Sequence, residues 1–279
     1  MPHNLMAVIF ALASALTIAW GTAVRHRIAS RVPAGQSPIL QSIRRPLWWA
    51  GMSTAIIAYG LQVVALSFGP LLIVQPILVT SLIFTMLVSA AQDRTRLSAG
   101  ELSWAVVLTA SVTVVVLLGR PLGSADHPSF ARWAPALLIG AVALAALTVW
   151  SERLPGSDRA FVLGLVTGAI FGYVAVLSKA VADTFTAGGA LALAVNWETY
   201  ALVLTATLGT LIQQNAFNAS TLSTTLPAMK SAEPVVAFTL GFLVLGETFR
   251  VSGWNWLWLA LALLAMIVAT VMLARKGAV

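Results

Sequence analysis

The chain has 279 residues, 59% of them hydrophobic and 9% charged, with a formal net charge of +7 and a mean hydropathy of +0.92. A soluble domain carries about 25% charged residues, so this composition excludes an ordinary soluble enzyme and points to an all-α polytopic membrane protein. With no cysteine there is no disulfide, thiolate metal site or thiol chemistry, and the positive charge reads as loop arginines facing anionic lipid rather than nucleic acid.

Taken in order, the apolar runs predict nine membrane spans, at 4–24, 47–68, 71–91, 101–119, 133–150, 160–182, 198–218, 221–246 and 254–274. The stretch 47–91 is too long for one crossing, and Gly69–Pro70 marks its turn. The N-terminus lacks the basic region and cleavage site of a signal peptide, so the first span is expected to stay. Placing the loops alternately on two sides puts Arg25, Arg27, Arg31, Arg44, Arg45, Arg94, Arg96, Arg153, Arg159, Arg275 and Lys276 on one side. Only Arg120, Arg132 and Arg250 fall on the other. That asymmetry predicts an N-terminus outside and a C-terminus in the cytoplasm. Trp48, Trp49, Trp133, Trp197, Trp254, Trp256 and Trp258 fall near span ends, where aromatic belts form. Arginine far exceeds lysine and alanine is abundant, which fits a GC-rich bacterial genome and a bacterial inner membrane.

The two halves of the chain echo each other. Gln62 precedes Pro76 by fourteen residues, and Gln213 precedes Pro227 by the same interval. The run from Ala15 lies over the run from Gly168, matching Trp20 with Tyr173. This predicts two four-helix repeats, spans 1–4 within 1–119 and spans 6–9 within 157–279, joined by a connecting span 5 within 120–156. An odd number of spans separates the repeat starts, so the second repeat enters upside down, as in carriers that bind substrate near the midplane.

The predicted eighth span, 221–246, carries the chain's strongest anomaly: Lys230 and Glu233 between Pro227 and Pro234. An ionisable group at that depth costs at least about 2.5–3.5 kcal/mol on insertion scales, and opposite charges three residues apart share a helix face and partly neutralise each other. Two prolines seven apart free backbone carbonyls on nearly the same face. The functional reading is a coupling carboxylate with an ammonium that binds anionic groups or controls its protonation. The structural reading is an ion pair fastening the span to a neighbour. Gln62, Gln213, Gln214, Asn215 and Asn218 place amides in the preceding spans, with cavity lining weighed against interhelical hydrogen bonds. Gln75, beside Pro76, is the first repeat's best polar candidate, and Trp20, Tyr59 and Tyr173 are candidates for cavity walls or plain packing. Lys179 with Asp183, and Glu247 at a span end, read as structural groups. The glycines at 164, 168 and 172 suit close helix packing, within the chain or in a homodimer.

The segment EPVVAFTLGFLVLGE, Glu233 to Glu247, resembles the signature closing the penultimate span of the drug/metabolite transporter (EamA-like) superfamily. LWWAG at 47–51, FGPLLIVQP at 68–76 and the Asn215–Asn218 region with Pro227 are similar to motifs of its nine-span, NIPA-type magnesium transporters. The resemblance implies inverted repeats and transport. Departures are Tyr59 where that family has an acidic residue, Thr95 where it has Glu, and Lys230 where its eighth span is neutral. Losing carboxylates and gaining an ammonium both work against a magnesium path.

The expectation is a secondary carrier of a small polar or amphipathic organic solute, working by alternating access and coupled to protons through Glu233 or to exchange. Alternatives are a divalent-cation transporter, a lipid or lipid-linked-sugar flippase, and a non-transporting scaffold. No HExxH spacing or Walker A motif is present, so neither enzyme chemistry, a metal site nor a cofactor is expected.

Overall fold

In a computed structural model of the protein, residues 2–29, 46–93, 96–123, 128–219 and 222–276 are described. Loop residues Arg31, Arg44, Arg45, Arg94, Thr95, Ser220 and Thr221 lie outside them. The helices are α1 (Pro2–Ala29), α2 (Pro46–Phe68), α3 (Leu71–Val79), α4 (Ser81–Asp93), α5 (Ala99–Gly119), α6 (Phe130–Ser151), α7 (Gly156–Val195), α8 (Trp197–Ala219), α9 (Leu222–Leu240) and α10 (Asn255–Lys276). A π-helical turn, Gly241–Leu245, extends α9, and two short strands, β1 (Pro121–Leu122) and β2 (Thr248–Phe249), pair antiparallel.

Among the described residues, seven helical runs are long and apolar enough to cross a membrane. They span Asn4–Gly21, Leu71–Val88, Ala99–Gly119, Phe130–Ser151, Gly156–Val195, Thr225–Leu245 and Asn255–Leu273, and Ser53–Phe68 is a shorter apolar helix. α8 has the length but is diluted by Thr, Gln and Asn. The expected span 71–91 proves to be two helices broken at Thr80, four residues after Pro76. Pro76 leaves the Leu72 carbonyl without its helical donor inside α3, and at Thr80 the N–H closes on the Ile77 carbonyl at 3.0 Å, a tighter turn that ends the helix. α7 runs past the expected end of its span and kinks at Gly189, whose φ of 68° suits only glycine without strain.

Burial sorts the helices. α7 is the central one: every residue from Val174 to Ser178 is buried, as are Ala180, Val181 and Ala182. α6 is the peripheral one, burying only Trp133, Gly140 and Ser151. Its exposed Leu138, Ile139 and Val142 are side chains that hydrocarbon solvates as well as protein does. Several long apolar helices with apolar outer faces make this a membrane-embedded helical protein.

The glycine stripe of α7 is filled by α9. A Cβ on Gly164 would lie 2.8 Å from the Thr225 carbonyl oxygen, one on Gly172 would lie 2.7 Å from Val236 Cβ, and one on Gly168 would overlap the Met229 carbonyl oxygen. The stripe is therefore an intrachain packing surface, where missing side chains let two backbones approach closely.

The helix ends sort into two groups. At one end, Ala7 of α1 abuts Gly69, Pro70 touches Gly123, β1 pairs with β2, and Trp133 stacks edge-on against Trp197 at 5.6 Å. At the opposite end, Gly156 lies beside the Ala219 carbonyl.

Candidate functional site

Lys230 and Glu233 sit in the middle of the run formed by α9 and its π turn. Lys230 Nζ lies 3.3 Å from Glu233 Oε2, and their side chains are 27% and 21% exposed. The i, i+3 spacing makes the pair local to one helix turn. On α9, Pro227, Ala228, Met229, Pro234 and Ala237 are buried, and Ser231, between the two charged residues, donates its hydroxyl back to the Ala228 carbonyl at 3.0 Å. The pair is thus a partly accessible dipole whose Lys230 carbonyl is left without its helical donor by Pro234.

The other sequence candidates scatter around this pair. Gln213 donates from Nε2 to Met229 Sδ, next in sequence to Lys230, at 3.2 Å and so ties α8 to α9. Gln62 is buried on α2, and Gln75 is 1% exposed on α3, where its Nε2 has no acceptor. A buried amide donor without an acceptor loses about 1–3 kcal/mol unless a water or ligand meets it. Tyr173 donates its hydroxyl to the Ala136 carbonyl at 2.6 Å and packs on Gly140, so it fastens α7 to α6. Trp20 and Tyr59 are 46% and 43% exposed and Asn215 is exposed. The side chains of Gln214 and Asn218 lie outside the described ones.

Two further charged groups organise the break at Gly69–Pro70. Glu247 is fully buried and accepts from the Leu71 and Leu72 N–H groups at 2.7 and 2.9 Å. These are orphan donors at the start of α3, whose preceding Pro70 supplies no side-chain cap. Across the same break, Lys179 Nζ donates to the Leu66 carbonyl near the C-terminus of α2 at 2.9 Å and to Asp183 Oδ1 at 2.7 Å. An anion at a helix start and a cation at a helix end both oppose the macrodipole favourably. Glu247 lies two residues beyond the apolar run that ends at Leu245. Burial pushes its carboxyl up to about 7, against the Leu71 and Leu72 amides and Lys179, with Asp183 adding to the rise.

A buried carboxylate at the start of α8 escapes sequence reasoning. Glu198 is fully buried and accepts from Trp133 Nε1 at 3.0 Å. Its backbone N–H is bonded by Asn196, whose amide in turn donates to Thr184 at 2.7 Å. Trp133 is therefore a core residue rather than part of an interfacial belt, because its indole N–H finds an internal acceptor. Among the described residues, no group of three or more His, Asp or Glu converges as metal ligands would.

Fold and burial define a helical membrane-embedded protein with a partly accessible ion pair at mid-helix. The chain is 54% identical over 281 residues to an uncharacterized protein of Corynebacterium glutamicum, an alignment covering 99% of this chain and 97% of that protein. It belongs to the same family as that protein. No family model matches the chain, and no solved structure matches it.

Proposed function

We propose that the protein is a secondary carrier for a small polar or amphipathic organic solute, working by alternating access with Lys230 and Glu233 in its path. The observation that carries this reading is the 3.3 Å pair itself, partly exposed at the middle of an apolar helix between two prolines. An ion pair serving packing alone gains little from partial access to solvent. One that must exchange partners with a substrate or a proton needs it.

Nine crossings are supported by the two groups of helix ends. The α1 start, the α2–α3 turn, the α5–α6 loop, the α7–α8 junction and the α9–α10 loop share one end, as strict alternation requires. Inverted repeats are supported by the matching neighbours: α1 packs on α2 as α7 packs on α8, and α5 packs on α10 across the halves. The resemblance to the drug/metabolite superfamily points the same way. The ammonium already beside Glu233 favours an organic solute over a divalent cation, since Mg²⁺ is usually held by carboxylates free to ligate it.

In coupling, substrate draws Lys230 away from Glu233, so the 3.3 Å pair opens and both groups exchange partners as the carrier turns over. The test is transport in proteoliposomes under an imposed pH gradient, on solutes first found by thermal-shift screening; a ligand at 100 times its dissociation constant stabilises a fold by about 2.7 kcal/mol. Glu233→Gln is expected to retain folding and some binding and to lose the gradient dependence. Unchanged dependence would remove Glu233 from coupling and leave a structural pair.

A further inference from the structure

The β1–β2 ribbon joins segments far apart in the chain. Pro121 pairs with Phe249 and Leu122 with Thr248, and the Arg250 N–H donates to the Gly119 carbonyl at 2.9 Å. Beside the ribbon lies a concavity of about 530 Å³, with Arg120 and Leu122 on one side and Thr248, Arg250, Val251 and Ser252 on the other. Among the described residues, no carboxylate lines it. Glu247, next in sequence to Thr248, is turned inward onto the Leu71 and Leu72 amides and so is already engaged. Neither Arg120 nor Arg250 has an ion-pair partner among the described residues, and both are exposed.

Arg120 also holds an unusual backbone. Its φ of 41° and ψ of 59° make it the one non-glycine residue with positive φ among those described. It occupies the position after a helix end where glycine is the unstrained choice. A side chain kept in a conformation that disfavours it calls for a use of that side chain.

Depth identifies the ligand. Immediately after the ribbon, Trp254, Trp256 and Trp258 are all exposed around the start of α10. Exposed tryptophans at a helix end sit at the headgroup level of a bilayer. Leu122, 47% exposed, offers an apolar contact on the same rim. We infer that Arg120 and Arg250 together bind the phosphate of an anionic phospholipid, clasping one lipid across the two segments of the ribbon. Guanidinium groups match phosphate bidentately, and the Thr248 and Ser252 hydroxyls supply further donors. The inference rests on membrane embedding alone and stands or falls apart from any transport activity.

The experiment is native mass spectrometry of the delipidated full chain in detergent, titrated with phosphatidylglycerol and, separately, with phosphatidylcholine of the same acyl chains. The unaltered chain should retain phosphatidylglycerol in preference. Arg250→Gln and Arg120→Gly should each weaken the tightest phosphatidylglycerol site about tenfold, as expected for losing one charge-assisted contact, and leave phosphatidylcholine retention unchanged. Arg120→Gly relieves the backbone, so its thermal midpoint should stay level or rise while lipid binding falls. A purely structural arginine would lower the midpoint and disturb both lipids together. Equal retention of the two lipids by the unaltered chain overturns the proposal, as does unaltered phosphatidylglycerol binding in both variants. Inorganic phosphate binding as tightly as the lipid would overturn it in favour of a soluble-anion site.

Discussion

The indole N–H of Trp133 donates to Glu198 at 3.0 Å, and neither side chain reaches the surface. A carboxylate is expensive to bury, so each donor it keeps matters more than a surface bond would. Trp133→Phe preserves most of the packing and removes that donor. It should lower stability by about 1–3 kcal/mol, read as the thermal midpoint in detergent. Glu198→Gln keeps a carbonyl acceptor for the indole and should lose less. Equal midpoints for Trp133→Phe and the unaltered protein would show the bond to be idle.

Glycines of the same chain should respond in opposite ways to a methyl group. Gly168→Ala drives a Cβ into the Met229 carbonyl and must push α7 from α9, a loss of about 1–3 kcal/mol. Gly60→Ala, in α2, meets nothing within 4 Å and should be neutral or gain up to about 1 kcal/mol from helix propensity. Thermal unfolding of the two variants side by side measures the difference.

Lys230→Ala should separate a working pair from a bystander. It leaves Glu233 without its ammonium at a partly buried position. Because both groups keep partial access to solvent, the loss should be about 1–2 kcal/mol rather than that of a dry pair. Uptake of anionic solutes should fall more than uptake of neutral ones in the same proteoliposomes. Equal losses for both would remove Lys230 from substrate recognition.

Glu247 sets a pH dependence whose sign follows from its raised carboxyl. A group whose pKa lies higher in the folded state, here about 7 against an ordinary 4.5, adds stability below the unfolded value and loses it as pH rises through the folded one. Midpoints should therefore fall between about pH 5 and pH 8 in the unaltered chain and stay flatter in Glu247→Gln. Parallel curves would show that Glu247 does not titrate in this window.

Topology can be tested without a substrate. Nine alternating crossings, as proposed, would put eleven arginines and lysines on one side and three on the other, so a reporter fused after Val279 should be active only in its cytoplasmic form. A periplasmic signal there contradicts the alternation of nine crossings.

Much of the helical plan can be read along the chain, because lipid demands apolar runs whose length is set by bilayer thickness and whose ends carry charge and tryptophan. The Lys230–Glu233 spacing likewise announces an ion pair, since helix geometry alone brings i and i+3 together. What composition could not reveal are contacts between segments distant in sequence. Glu247 caps a helix 176 residues away, Lys179 caps the Leu66 carbonyl, and Trp133 turns from a belt residue into the partner of Glu198. The same apolar letters serve lipid-facing and core-facing surfaces, so apolar content alone does not part α6 from α7, although one is nearly bare and the other largely buried; only the glycine stripe of α7 hints at its packing. Only tertiary packing separates them. Hydrocarbon and protein interior solvate a leucine almost equally, whereas a buried carboxylate survives only where the fold brings donors to it.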